Sequence, residues 1–146
     1  MTKVDNRQLC LRSQNATLSI VASSQAAAII RAALPKVQKE ERVFVLPLDA
    51  NGKMLAKPIL VSVGHQDGTA AIDAGAIFRE ALSARAEEII VVHNHPSGDP
   101  TPSKADIAAT RELKDLAKRL DVAFLDHLVV GGGEDNGFVS LAEFGD

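Results

Sequence analysis

The stretch from Val91 to Asp106 reads VVHNHPSGDPTPSKAD, and the place where its apolar run stops decides the fold. Ile89 to Val92 is apolar on both faces, as the central strands of covered sheets are. His93 and His95 close that run. Residues i and i+2 of a strand point to the same face, so both imidazoles can reach one ion where the strand ends, which is also where ligands collect in α/β sheets. Pro96, Gly98, Pro100 and Pro102 shape the connection, and Ser103 opens a helix with Asp106 one turn inside it. Two nitrogens and a carboxylate leave the fourth tetrahedral position for water, the arrangement of a catalytic zinc rather than a structural one. Ser103-Lys104-Ala105-Asp106 is also a plausible capping box, in which the serine and the acidic residue satisfy free backbone N–H groups. His-x-His and Ser-x-x-Asp are each weak signals. Joined by seven residues they form a specific pattern.

Working outward, Ser23 or Ser24 can cap a helix with apolar positions Ala27, Ile30, Leu34 and Val37, which Pro35 should kink or end early. Arg42 to Asp49 is strand-like, and Asp49-Ala50-Asn51-Gly52 carries the signal of a tight hairpin into a second strand that runs through about Val63. Gly64 to Gly68 reads as a loop in which His65 is a surface residue, and Ala70 to Arg85 as an Ala-rich helix. In the helix after Ser103, Ala109, Leu113, Leu116, Ala117 and Leu120 mark the inner face. Val122 to Val130 is an apolar strand interrupted by Asp126-His127. Glycines 131 to 133 turn the chain into a short strand at Phe138 to Ser140. The order helix, hairpin, helix, strand, helix, strand implies an α/β protein with helices packed on a mixed sheet. Asp126 and His127 are a polar pair inside a buried strand, so they must be hydrogen-bonded, and a supporting role behind the metal ligands is expected of them.

The chain has 146 residues, a length that suggests one core-forming domain, expected over residues 23–146 with residues 1–22 as an extended N-terminal arm. Charged residues make up 24% and the net charge is -3, which gives no electrostatic footprint for nucleic acid. The lack of Trp and Tyr removes the usual stacking platforms for single strands. Nucleic acid is thus a partner that the charge leaves unsupported. The single Cys10 excludes an internal disulfide framework, and nothing resembles a signal peptide or an apolar membrane span. The expectation is a cytoplasmic protein with no membrane partner and an oligomeric state that the sequence leaves open.

His93-x-His95, seven residues, Ser103, two residues, Asp106 resembles the JAMM motif of the JAB1/MPN+ metalloproteases, and HNHPSGDPTPSKAD is similar to the RadC branch of that family. The resemblance runs from about residue 20 to the end and includes Asp126-His127-Leu128-Val129-Val130-Gly131 and Phe138-Val139-Ser140. It implies a cytidine-deaminase-like three-layer α/β/α sandwich, with His93, His95 and Asp106 as ligands of one Zn2+ and Ser103 as the group that stabilises the oxyanion. It also implies an upstream glutamate as general base, and alignment on Leu48-Asp49 places this at Glu41, although Glu40 stands beside it. The implied activity is hydrolysis of a peptide or isopeptide bond in a protein or peptide substrate. A nucleic-acid-directed hydrolase linked to DNA repair and a non-catalytic interaction module are the competing readings. Deaminase chemistry is set aside because the His-x-Glu and Pro-Cys-x-x-Cys signature is absent. The chain departs from the resemblance in having only about twenty residues where RadC-like proteins commonly carry a helix-hairpin-helix region. It also lacks the His-Pro often found near Asp73-Ala74, and it carries Pro47 inside a strand.

The role implied for Glu41 sets a topological condition. Glu41 begins its strand while the histidines end theirs, and parallel neighbours would hold them about 20 Å apart for six residues, beyond the reach of a general base. The first strand must therefore run antiparallel beside the His-x-His strand, with the hairpin at a sheet edge and the crossover after Ser103 joining parallel strands.

Overall fold

The computed structural model describes residues 20, 22–64, 72–132 and 137–142. Its elements are α1 (Ser23–Ala33), β1 (Glu41–Leu48), β2 (Ile59–Gly64), α2 (Ala74–Ser83), β3 (Glu88–Asn94), α3 (Lys104–Arg119), β4 (Ala123–Val130) and β5 (Phe138–Ser140). The strands form one mixed sheet in the order β2-β1-β3-β4-β5. β1 is antiparallel to both β2 and β3, β3 is parallel to β4, and β5 returns antiparallel to β4. The topological condition is met: Val43 stands opposite His93, so the start of β1 lies against the end of β3.

Alternation along the central strands builds a core on each face. Val43, Val45, Ile89 and Val91 pack with Ile77, Phe78 and Ala81 of α2 and with Leu113 and Ala117 of α3. Phe44, Leu46, Ile90 and Val92 pack with Ala26, Ala27 and Ile30 of α1. The result is three layers, α/β/α. Burial of each such Val, Leu, Ile or Phe side chain contributes roughly 1.5–3 kcal/mol, so the sheet is held from both sides without help from a ligand.

The boundaries differ from the sequence reading where local chemistry intervenes. α1 is capped at Ala22 by the Gln25 side chain, which accepts from the Ala22 N–H at 3.1 Å, and the Ser23 hydroxyl is given over to Asp126 instead. The helix stops at Ala33, because Pro35 disfavours helical geometry at the residue before it. Val37 is left 70% exposed rather than on an inner face. The turn after β1 forms, with Asp49 Oδ1 accepting from the N–H groups of Asn51 and Lys53. Beyond a single bridge from Leu48 to Met54, however, the second strand starts only at Ile59, just past Pro58, which has no N–H to give a ladder. Pro47 is accommodated in β1 because β2 pairs no further than Val45, and the Pro47 carbonyl accepts from the Leu55 N–H at 2.9 Å. α2 begins at Ala74 with Asp73 as its cap, later than expected. The arm up to residue 19 and the loop around His65 lie outside the described residues.

α2 and α3 end alike. Arg85 and Asp121 adopt φ of 60° and 57°, and the N–H groups of Ala86 and Val122 reach back to the carbonyls of Ala81 and Ala117. These are Schellman turns made without the usual glycine.

Gly52 has φ +78°, and a Cβ there would stand 2.8 Å from the Ile20 carbonyl oxygen, while the Ile20 N–H donates to the Gly52 carbonyl at 2.7 Å. Gly52→Ala should therefore destabilise the fold by about 1–3 kcal/mol. Urea titration should give a lower midpoint at unchanged slope, and a midpoint equal to wild type would refute the packing of Ile20 on this turn.

Candidate metal centre

The antiparallel pairing of β1 with β3, together with the N-terminus of α3, brings four side chains to one point. Glu41, His93, His95 and Asp106 each offer a ligand atom, and these atoms all lie within 4.8 Å of one another. Glu41 Oε1 is 3.4 Å from His93 Nε2. Asp106 divides its two oxygens between the histidines, Oδ1 at 3.2 Å from His93 Nε2 and Oδ2 at 3.1 Å from His95 Nε2. His93 is fully buried and Glu41 and Asp106 nearly so, while His95 lies at the rim.

The capping and metal readings of Ser103-x-x-Asp106 hold together. Ser103 Oγ accepts from the Asp106 N–H at 3.0 Å, and Asp106 Oδ2 accepts from the Ser103 N–H at 2.8 Å. The same carboxylate faces both histidines, so the capping box orients it toward the cluster. Ser103 is exposed, and accepting a bond leaves the hydrogen of its own hydroxyl to give.

Burial works to raise the Asp106 carboxyl pKa, but the neighbouring His93 and His95, together with the bond from the Ser103 N–H, outweigh burial and hold it well below the usual carboxylate range. Burial raises that of Glu41, against the lowering pull of the two histidines. The adjacent Asp106 carboxylate, which favours the charged imidazolium, raises that of His95. His95 Nδ1 stands 3.0 Å from the Asp99 carbonyl, which can only accept, so Nδ1 carries the hydrogen and, in the neutral ring, Nε2 turns a bare lone pair inward. Two carboxylates and imidazole nitrogens converging at this range form an oxygen–nitrogen donor set suited to a divalent metal ion. The residues fit a metal.

The polar pair in β4 splits between the two faces. His127 lies on the cluster's face, fully buried, with Nε2 at 2.9 Å from His93 Nδ1. Asp126 lies on the α1 face, accepting from the hydroxyls of Ser23 and Ser140 and from the His127 N–H. It ties α1 and β5 to β4 and meets none of the four clustered side chains through those bonds.

Two supporting residues escaped the sequence reading. Asn94, between the histidines and on the opposite face, is fully buried, and its Oδ1 accepts from the Arg42 N–H at 2.7 Å. Its amide nitrogen donates to the Glu40 carbonyl and to Gln38 Oε1 at 3.1 and 3.0 Å. It thus grips the backbone on both sides of Glu41. The signal for it was the strand alternation itself, which turns the middle residue of His-Asn-His toward α1. Thr110, one turn after Asp106 on the same helix face, sits behind His127 with Oγ1 2.7 Å from Nδ1.

A family model for the RadC-like JAB domain matches residues 20–145. The chain belongs to the RadC-like JAB domain family. It is 37% identical over 139 residues to a UPF0758 protein of Roseiflexus castenholzii, covering 95% of this chain and 57% of the relative. A UPF0758 protein of Clostridium perfringens is 39% identical over 108 residues, covering 74% of this chain and 45% of that one. One from Methanosarcina mazei is 37% identical over 107 residues, covering 70% and 46%. The chain spans about half the length of these curated relatives. The mixed sheet with helices on both faces and the acid–histidine cluster agree with a JAB domain. No helix among the described residues is long and apolar enough to cross a membrane.

Asn94→Ala would leave the Arg42 N–H and the Glu40 carbonyl without their buried partner, at a cost of about 1–3 kcal/mol. Hydrogen exchange should accelerate at Arg42 more than at the Val91 amide, and equal protection in both proteins would refute the grip on Glu41.

Burial, with the nearby His93, holds the His127 pKa down to about 3, against 6.5 in the unfolded chain. The neutral form is favoured in the fold, so this contribution is complete above pH 6.5 and is lost as pH falls from 6.5 toward 3, at up to about 1.4 kcal/mol per pKa unit. Urea midpoints of metal-free protein between pH 7 and 4 should fall more steeply for wild type than for His127→Gln. Equal slopes would show that His127 is not held neutral.

Proposed function

We propose that this chain is a JAMM-type zinc metalloprotease that hydrolyses a peptide or isopeptide bond of a protein substrate. The observation that carries the reading is the position of Glu41, whose carboxylate lies 3.4 Å from His93 Nε2 while Asp106 meets both histidines. A base and a three-ligand set then share one site. His93, His95 and Asp106 would hold the metal. Zinc, when bound, supplies Lewis acidity that lowers the pKa of a water from near 16 to roughly 7 and polarises an amide carbonyl.

The chain's own groups account for the remaining steps. Glu41 takes a proton from the attacking water and returns it to the leaving amine nitrogen, and the raised pKa that burial gives its carboxyl makes it a stronger base than an exposed carboxylate. Ser103 has a hydroxyl hydrogen to offer the oxyanion from the helix N-terminus, where the backbone dipole also favours negative charge. His95 at the rim marks the side from which substrate enters, and the buried wall formed by His93 and His127 closes the other. The net charge of -3 and the lack of Trp and Tyr favour a protein substrate over nucleic acid. The presence of all four clustered residues favours an enzyme over an interaction module.

Elemental analysis and a peptide-library digest read by mass spectrometry test the proposal. Wild type and Glu41→Gln should each hold about one zinc per chain, whereas His95→Ala and Asp106→Ala should lose most of it. Zinc-loaded wild type should cleave library peptides, and Glu41→Gln should be slower by on the order of 10² or more. Cleavage by Glu41→Gln at the wild-type rate, or zinc retained at wild-type level by His95→Ala, would refute these assignments.

A further inference from the structure

His127 is a fully buried imidazole that the proposed hydrolysis does not use. Its two ring nitrogens are both engaged, Nδ1 with Thr110 Oγ1 at 2.7 Å and Nε2 with His93 Nδ1 at 2.9 Å. The Thr110 hydroxyl in turn donates to the backbone carbonyl of Asp106 at 3.0 Å. We propose that Thr110 and His127 are positioning residues that fix the tautomer of neutral His93, so that its Nε2 lone pair is presented to the metal site.

A count of hydrogens sets the direction of the relay. A carbonyl only accepts, so the single Thr110 hydroxyl hydrogen is committed to Asp106. Toward His127 the hydroxyl can therefore only accept, and His127 Nδ1 must carry the hydrogen. A buried neutral imidazole has just one, so His127 Nε2 is bare and can only accept from His93. His93 Nδ1 must then carry a hydrogen, and in the neutral ring its Nε2, which faces Glu41, His95 and Asp106, is left with a lone pair. With both rings neutral and the Thr110 hydroxyl donating to Asp106, each step has one solution because each group has one hydrogen. The polarity starts at the main chain of Asp106, the residue whose side chain completes the ligand set. One helical turn therefore sets the direction of the carboxylate through the capping box and the tautomer of His93 through Thr110. His95 receives the same treatment from the Asp99 carbonyl. Metal ligands are commonly oriented by such outer partners, but here the partner is a second histidine, which could accept or donate and so needs Thr110 to decide.

The inference rests on the metal-site reading, and its test needs neither metal nor substrate. Long-range proton–nitrogen correlation spectra of metal-free protein labelled with 15N-histidine, at a pH where the rings are neutral, should show His93 and His127 both protonated at Nδ1. In Thr110→Val, the hydrogen of His127 loses its acceptor and moves to Nε2, from which it donates to His93 Nδ1. The His93 hydrogen should then appear on Nε2, with zinc affinity, measured by chelator competition, weakened about 10–100-fold. Thr110→Ser should restore both the tautomer and the affinity. An Nε2 hydrogen on either ring of the wild-type protein overturns the proposal, even where Thr110→Val does not fold. So does an unchanged His93 tautomer in Thr110→Val. Wild-type protein with the expected tautomers and no affinity for zinc would uphold the relay and refute the hydrolase.

Discussion

Glu41 and His93 meet because β1 runs against β3, and the rest of the site depends on that pairing. A strand start and a strand end can share a point only between antiparallel neighbours. The parallel partner on the other side, β4, cannot supply a second residue from its start, and supplies His127 from its middle instead. The sheet therefore delivers an acid from one side and a supporting imidazole from the other, while α3 closes over them with Asp106. Each contribution comes from a regular element packed into the core, which keeps the ligand atoms within a few ångströms without relying on a loop for more than His95.

A single extra residue in β4 decides which polar side chain serves the centre. The register of β3 with β4 pairs Ile89 with Phe124 but Ile90 with Asp126, so Leu125 is an unpaired bulge, 40% exposed. Without it, Val91 would face Asp126, and the carboxylate would replace the imidazole behind His93. A strand inverts its faces with each one-residue slip, so the bulge exchanges the two roles completely. It sends Asp126 to Ser23 and Ser140, where three hydrogen-bonding groups satisfy its charge away from the cluster. A third carboxylate beside Glu41 and Asp106 would have added like charge to a buried site, which burial already makes costly.

This explains what could be read from the residues and what could not. The His93, His95, Ser103 and Asp106 pattern was legible because strand and helix periods convert its short spacings directly into shared faces. The mixed sheet followed from the order of apolar runs, and the antiparallel β1–β3 pair from the chemistry that the family resemblance implied for Glu41. Glu41 itself carries no local signal, since a glutamate before a strand is ordinary. Asp126 and His127 were recognisable as a pair that needed partners, but the bulge that decides which of them faces the centre leaves no mark in composition. Asn94 looked like a spacer because attention to the face of the histidines hides what the intervening residue does on the other. The start of α1 was misplaced by one residue for a related reason. Ser23 has the chemistry of a cap, but its hydroxyl serves Asp126, a partner remote in the chain.

Asp106 links the fold to the chemistry in a way that limits how each can change. In the metal-free chain its carboxylate already has a stabilising environment, from the Ser103 N–H and the first turn of α3. The cores on both faces of the sheet are complete without the cluster. Such a site does not resemble that of a small zinc domain that folds only around its ion. It is preorganised, and binding free energy need not be spent on ordering the backbone. The cost is borne by Glu41, which is buried beside Asp106 and whose carboxyl pKa rises as a result. A cation would relieve that unfavourable pair most directly, since it is attracted to both carboxylates at once while the fixed imidazole lone pairs face it. Selection for affinity and selection for a basic Glu41 therefore pull in the same direction, toward keeping both acids buried. The opposing pull is on stability of the metal-free chain, where the same burial leaves the two carboxylates to repel each other.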